Sequence, residues 1–316
     1  MLKYLITFAP GFTPEMFRAL EDLGLKLVCV PGAGAQRNDG ERYDGEDYSD
    51  ADMILCYQFF NYHDVTRFTN LKYVHTTSSG LDHMPLEHLR SRGVALDNAR
   101  GVYSIPMAEY ALSSVLQLYR GSPLLTERQR SRVWQRFDEV RELSGKQVTI
   151  LGAGSVGTEC AKRFTAMGCH CVGLCRHPDP GTDHYDTQLH IDRLDEVLPE
   201  TDILLLTLPL TDETRHIMDV RRFGLLKTGA VLVNVARGPV VEEAALLAAL
   251  ESGRLSGAAV DVFDAEPLPA DSPLWTAKNL ILTPHNSFAG EGNPKRLFDL
   301  VYRDTVNWLK SKGELK

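Results

Sequence analysis

The sequence is short of the features that mark membrane, secreted and nucleic-acid-binding chains. Its opening stretch, Met1–Pro10, is far too brief to cross a bilayer. It has no basic n-region leading into a long apolar core and a small-residue cleavage site. It is expected to be the first β-strand of a cytoplasmic protein with no membrane partner. Positive charge is also lacking: 34 basic against 42 acidic residues leave a net charge of −8. That sign repels polyphosphate backbones at long range, so no nucleic-acid partner is expected. Cysteine is sparse, with six in 316 residues (Cys29, Cys56, Cys160, Cys169, Cys171, Cys175), which fits reduced thiols better than a disulfide framework. The sequence also has no repeat of solenoid period, no low-complexity tract and no linker rich in Pro, Gly and Ser.

What remains is an ordinary globular composition, 43% hydrophobic and 24% charged. The length exceeds what one hydrophobic core usually serves, so two domains are expected. Short apolar runs alternate with amphipathic stretches from Lys3 onward: Tyr4–Phe8, a helix near Pro14–Leu23, then Leu25–Val30. This is the pattern of an α/β fold. Residues 33–49 are rich in Gly, Asp and Asn and read as a loop, after which Met53–Cys56 and Tyr73–Thr76 resume as strands. A helix is expected over Pro106–Tyr119, with Pro at its start and Ala108, Ala111, Leu112, Val115 and Leu116 at helical spacing. The arginine-rich stretch Thr126–Arg141, with Trp134 and Phe137 interleaved, reads as a solvated or dimer-contact face. From Lys146 a clearer series begins. Its apolar runs Val148–Leu151, Ile203–Leu208, Val231–Val235, Ala258–Val262 and Leu280–Thr283 suit strands of a parallel sheet covered on both faces.

Directly after Val148–Leu151 stands Gly152-Ala153-Gly154-Ser155-Val156-Gly157, then a helix to Met167 and the strand His170–Cys175. In that setting the first glycine permits a tight turn. The second lets backbone amides approach a pyrophosphate, and the third lets helix and strand pack closely. An NAD-selective site ends its second strand on an acidic residue. Here Cys175 holds that place, followed by Arg176 and His177, and a guanidinium suits a 2′-phosphate. NADP(H) is therefore the expected coenzyme, with NAD(H) possible if Asp179 or Asp183 serves the ribose. The cluster Cys169, His170, Cys171, Cys175 and His177 could suggest zinc. Strand alternation would put Cys169 and Cys171 on one face and His170 on the other, so no metal is expected.

Three ionisable residues follow successive strands of this sheet: Arg237, Glu266 and His285. Strand carboxyl ends line the ligand crevice of a doubly wound sheet, so the three can converge. Reduction of a 2-oxo acid requires a cation for the carboxylate, a proton donor for the carbonyl oxygen and an open face for hydride. Arginine supplies the first. An imidazole titrates near neutral pH and supplies the second. A carboxylate bonded to the ring orients it and favours its charged form.

Asn234-Val235-Ala236-Arg237-Gly238, Val260-Asp261-Val262-Phe263 through Glu266-Pro267-Leu268, and Thr283-Pro284-His285 closely resemble the signatures of the D-isomer-specific 2-hydroxyacid dehydrogenases, in particular members of the glyoxylate/hydroxypyruvate reductase type. The resemblance runs from about Tyr73 onward. It implies the same roles for Arg237, Glu266 and His285, with Asp261 on the nicotinamide carboxamide and the Ser79 and Gly80 amides on the substrate carboxylate. Thr207, Leu208, Pro209 and Ala236 would line the coenzyme. It also implies two doubly wound domains. A Rossmann coenzyme domain (98–287) would be inserted into a flavodoxin-like substrate domain (1–97 and 288–316), to which the chain returns through a helix near Leu297–Leu309, and the protein would be a homodimer. Two positions depart from the pattern: Cys175-Arg176 at the usual acidic site, and Asn286-Ser287-Phe288 where small residues are more usual. Tyr57, Phe59, Phe60 and Phe288 suggest a partly apolar substrate pocket, although aromatics at such spacing more often belong to the core. The competing readings are a nucleotide-binding co-repressor, for which no added partner segment is recognisable, and a phosphite-type dehydrogenase, whose anionic substrate would suit Arg237 equally.

Overall fold

The computed structural model describes residues 1–30, 48–179, 181 and 183–315. The expected loop at 33–49 lies outside these residues except for its last two. The chain divides into two compact units, Met1–Tyr103 with Gly290–Lys316, and Ser104–Ala289.

The first unit runs β1 (Lys3–Ile6), α1 (Pro14–Glu21), β2 (Lys26–Cys29), β3 (Met53–Cys56), β4 (Tyr73–Thr76), α2 (Leu86–Ser91) and β5 (Ala95–Asn98). Its strands form one parallel sheet in the order β2-β1-β3-β4-β5. The order reverses at β1, as in flavodoxin-like folds. Helix α1 starts where the sequence dictates: Pro14 supplies a preset φ at the first position, and the Thr13 hydroxyl accepts the Met16 amide at 3.4 Å.

The second unit runs α3 (Ser104–Tyr119), α4 (Ser122–Arg130), β6 (Gln147–Leu151), α5 (Ser155–Ala166), β7 (His170–Cys175), β8 (Thr187–His190), α6 (Leu194–Val197), β9 (Ile203–Leu206), α7 (Val220–Leu225), β10 (Ala230–Asn234), α8 (Glu243–Glu251), β11 (Leu255–Val260) and β12 (Leu280–Leu282). The chain then returns to the first unit through α9 (Asn293–Ser311). Seven parallel strands take the order β12-β11-β10-β9-β6-β7-β8. This is the doubly wound Rossmann order, with its reversal between β6 and β9. One apolar layer, including Leu174, Leu204, Leu232 and Leu246, covers one face of the sheet. Another, including Ala108, Val115, Phe164 and Val233, covers the other. Each wholly buried Leu or Phe contributes about 1.5–3 kcal/mol, so this double covering makes the unit a firm platform.

Helix α3 begins at Ser104, two residues before the expected Pro106. A proline at the third position is tolerated because first-turn amides have no intrahelical acceptor. The arginine-rich stretch contains the end of α4 and then a segment without regular secondary structure in which Trp134 is fully exposed and Val133 and Val140 are also exposed. Cys169 and Cys171 are buried while His170 is exposed. Phe59, read as a pocket candidate, is wholly buried and stacks on His63 at 4.1 Å, so it belongs to the core. No helix among the described residues is long and apolar enough to cross a membrane.

Helix α9 is tied to the first sheet by a partly buried polar pair, His75 Nε2 to Asp304 Oδ2 at 3.3 Å. Burial pushes the Asp304 carboxyl up, but the contacts with His75 and Arg303 outweigh it and hold the group below the ordinary carboxylate range. A depressed folded-state value stabilises above the unfolded value and is lost as pH falls through the folded one. Asp304→Ala is therefore expected to cost about 1–2 kcal/mol in urea unfolding at pH 7. The difference from the parent should shrink as the pH falls below about 4. A penalty that is independent of pH would contradict this account of the pair.

Candidate active site

Because every strand of the second sheet is parallel, the loops after β6, β7, β9, β10, β11 and β12 leave from one edge. The glycine loop after β6 is held by short backbone contacts. Gly152 has φ +109, and a Cβ there would lie 2.7 Å from the Leu208 nitrogen. A Cβ at Gly157 would collide with the Gly152 carbonyl oxygen and stand 3.1 Å from the Thr207 hydroxyl. That hydroxyl donates to the same carbonyl at 2.7 Å, so Thr207 and the first and third glycines form one packed unit. Gly154 begins α5 with no side chain capping the helix amides, and a Cβ there would meet nothing within 4 Å. The uncapped amides of Ser155, Val156 and Gly157 and the side-chain-free approach over Gly154 fit a dinucleotide pyrophosphate.

The end of β7 lies beside this loop, since the Gly152 amide donates to the Leu174 carbonyl at 2.8 Å. Arg176 and His177 are exposed there, and Cys175 is partly buried. The turn beyond is organised by Gln188, whose Oε1 accepts the Asp179 amide at 2.9 Å and lies 3.8 Å from the Cys175 sulfur. The Asp179 carboxylate accepts the Gly181 amide at 3.0 Å within its own turn. Leu208 is buried, Pro209 is exposed, and the Pro209 carbonyl accepts the Thr214 hydroxyl at 2.8 Å.

Asn234, the last residue of β10, shapes the next loop. Its Oδ1 accepts the Ala236 amide at 3.0 Å and its Nδ2 donates to the Arg237 carbonyl at 3.1 Å. Arg237 Nη1 donates to the Ala236 carbonyl at 2.7 Å. A Cβ at Gly238 would overlap the backbone of Phe263 and Asp264, so the Arg237 turn packs directly on the loop after β11. In that loop Glu266 uses both carboxylate oxygens: Oε1 accepts the Phe263 amide at 3.0 Å, and Oε2 lies 2.7 Å from His285 Nδ1. The ring therefore presents Nε2 away from its carboxylate partner. His285 has φ +49, a left-handed conformation costly for a residue with a Cβ, and the ring is half exposed. Phe288 is exposed, with its ring 6.3 Å from the His285 ring and edge-on to it.

Asp261, at the end of β11, is wholly buried. Oδ1 accepts the Thr283 hydroxyl at 2.6 Å and the Asn286 amide at 2.7 Å, and Oδ2 accepts the Ser287 amide at 2.9 Å. Asn286 and Ser287, which depart from the usual small residues, thus serve the loop through their backbone.

Ser79 and Gly80 belong to the other unit, just past β4. Their carbonyls are occupied, Ser79's by Asn98 Nδ2 and Gly80's by the Ser78 hydroxyl, each at 2.8 Å. Neither backbone amide has a partner among the described residues, which leaves two adjacent donors suited to an anion. The bonds made by Asn234 and Gln188 carry no signature that marks them in sequence, since amide side chains are common in turns.

The family model for the NAD-binding domain of D-isomer specific 2-hydroxyacid dehydrogenases matches residues 112–287. A glyoxylate reductase of Thermofilum pendens is 32% identical over 248 residues, covering 77% of this chain and 73% of that one. Among solved structures, a D-isomer specific 2-hydroxyacid dehydrogenase family protein of Aeromonas salmonicida is 29% identical with a TM-score of 0.82, covering 98% and 96% of the two chains. A D-isomer specific 2-hydroxyacid dehydrogenase of Xanthobacter autotrophicus, solved with NADPH and MES, is 30% identical with a TM-score of 0.75, covering 95% and 92%. The chain belongs to the D-isomer-specific 2-hydroxyacid dehydrogenase family. It is an NAD(P)-dependent oxidoreductase of the 2-hydroxyacid dehydrogenase class, built from a Rossmann domain and a substrate domain.

The packing at Gly157 is open to a direct test. Gly157→Ala forces a methyl against the Gly152 carbonyl, and such overpacking is expected to cost about 1–3 kcal/mol, read as a lower urea midpoint by circular dichroism. An alanine variant as stable as the parent would contradict the close approach.

Proposed function

We propose that the protein reduces a 2-oxo acid to the D-2-hydroxy acid, with NADPH as preferred reductant. The observation that carries this reading is the Glu266–His285 contact of 2.7 Å, on the sheet edge where the Arg237 turn packs against the Glu266 loop. His285 Nε2 gives its proton to the carbonyl oxygen during reduction and takes it back in oxidation, while Glu266 orients the ring through Nδ1. Arg237 forks onto the substrate carboxylate and carbonyl oxygens, where its fixed charge stabilises the negative charge that grows on oxygen. The Ser79 and Gly80 amides, both without a partner among the described residues, are further donors for a substrate carboxylate. When bound, the reduced nicotinamide supplies the hydride to C2. In the coenzyme cradle, Gly152, Gly154, Ser155, Val156 and Gly157 serve the pyrophosphate, Thr207, Leu208, Pro209 and Ala236 line its course, and Asp261 stands by the carboxamide.

The NADPH preference rests on Arg176 and His177 following Cys175, with the Asp179 carboxylate turned onto the Gly181 amide. A solved relative at 30% identity holds NADPH, which is in keeping with it. The assignment makes Ser104–Ala289 the coenzyme domain and the remainder the substrate domain. A homodimer is part of the same reading, supported by the exposed Val133, Trp134 and Val140 on the irregular segment after α4.

A panel of glyoxylate, hydroxypyruvate and bulkier 2-oxo acids, assayed with NADPH and NADH, tests the proposal. Oxidation of NADPH is expected on at least one acid, and His285→Ala and Arg237→Ala should each lower kcat by about 100-fold or more. Arg176→Ala should reduce kcat/KM for NADPH by about 10-fold and leave that for NADH nearly unchanged. No oxidation on any acid would overturn the reaction, and a higher kcat/KM for NADH in the parent would overturn the coenzyme assignment.

A further inference from the structure

The loop that carries His285 is held by more than the Glu266 contact. Thr283 Oγ1 lies 2.6 Å from Asp261 Oδ1 and 2.8 Å from the Tyr110 hydroxyl oxygen. A threonine hydroxyl has one proton and an ionised carboxylate only accepts, so Thr283 donates to Asp261. The Tyr110 phenol must then donate to Thr283. Burial pushes the Tyr110 phenol above its ordinary value, which keeps it protonated and fit to donate across the working range of pH. The relay ends in a hub: Asp261 holds the Asn286 and Ser287 amides with its carboxylate and the His285 amide with its main-chain oxygen, the last at 2.8 Å. With the Thr283 bond on the preceding side, these bonds grip both flanks of a residue in left-handed backbone, a conformation that persists only where its surroundings over-determine it.

We infer that Tyr110 and Thr283 are positioning residues for His285, acting through Asp261 to fix the backbone from which its ring meets Glu266. Tyr110 is suited to this because it stands on α3, whose neighbouring Ala108 and Ala111 are wholly buried against the sheet. A site held from a packed helix is more precise than one held by its own loop. The relay also joins the helix that opens the second unit to the loop that closes it, although Tyr110 and Thr283 stand 173 residues apart. Neither residue touches the reacting atoms in this account. The inference rests on the reading of His285 as proton donor, and its test separates the two.

Tyr110→Phe removes one hydroxyl, Thr283→Val removes the donor at nearly constant volume, and Thr283→Ser restores it. At saturating coenzyme, Thr283→Val is expected to lower kcat by about 10- to 100-fold and Tyr110→Phe by about 3- to 10-fold, with KM for coenzyme changed less than about 2-fold. Thr283→Ser should recover most of the loss. In coenzyme-free protein carrying ring-labelled histidine, the NMR signal of His285, assigned by its disappearance in His285→Ala, should shift or broaden in Thr283→Val and Tyr110→Phe. If Thr283→Val does not fold, Tyr110→Phe decides. Unchanged kcat and an unmoved ring signal would overturn the inference. So would a loss of activity with an unmoved signal, which would place the effect elsewhere than His285. A moved signal in a parent protein that reduces no 2-oxo acid would uphold the positioning and refute the proposed reaction.

Discussion

The contact between Glu266 Oε2 and His285 Nδ1 is the constraint on which the site depends. An imidazole can face a substrate in a defined way only if its other nitrogen is held, and here a carboxylate holds it. That carboxylate is itself fixed, since its second oxygen takes the Phe263 amide. The histidine sits in a left-handed conformation on a loop whose amides converge on the buried Asp261. Strain at one residue is thus offset by several bonds from its neighbours, a pattern expected where geometry matters more than local stability.

The platform beneath this arrangement is the seven-stranded parallel sheet, covered on both faces by apolar layers. Parallel strands send their carboxyl ends to one edge, so residues as distant in sequence as Gly152 and His285 issue from the same side. Close backbone packing then links neighbouring loops: Gly157 and Thr207 against Gly152, and Gly238 against Phe263. Glycine at these positions reflects space as much as flexibility.

Much of this was legible in the sequence, for identifiable reasons. The run from Val148 through the glycines into α5 could be read because strand, turn and helix each leave a periodic or compositional mark. Arg237, Glu266 and His285 could be placed because each follows an apolar run. The strands β5 and β8 escaped notice. Both are edge strands, Ala95-Leu96-Asp97-Asn98 and Thr187-Gln188-Leu189-His190, partly exposed and too polar to stand out from loop. Phe59 looked like a pocket residue because aromatic side chains suit both core and ligand, and only packing on His63 and Phe68 separates the two. The pairing of Tyr110 with Thr283 could not be read at all, since it depends on where α3 lies against the second sheet.

The central claim is that His285 delivers the proton and that Glu266 holds the ring in the orientation to do so. The most direct measurement is the single-turnover rate of 2-oxo acid reduction at saturating coenzyme in the parent, His285→Ala, Glu266→Ala and Glu266→Gln. The account predicts a loss of about 100-fold or more in His285→Ala, a loss of about 10-fold or more in Glu266→Ala, which frees Nδ1, and a smaller loss in Glu266→Gln, which keeps a hydrogen-bonding atom there. A parent-like rate in His285→Ala or in Glu266→Ala would contradict it.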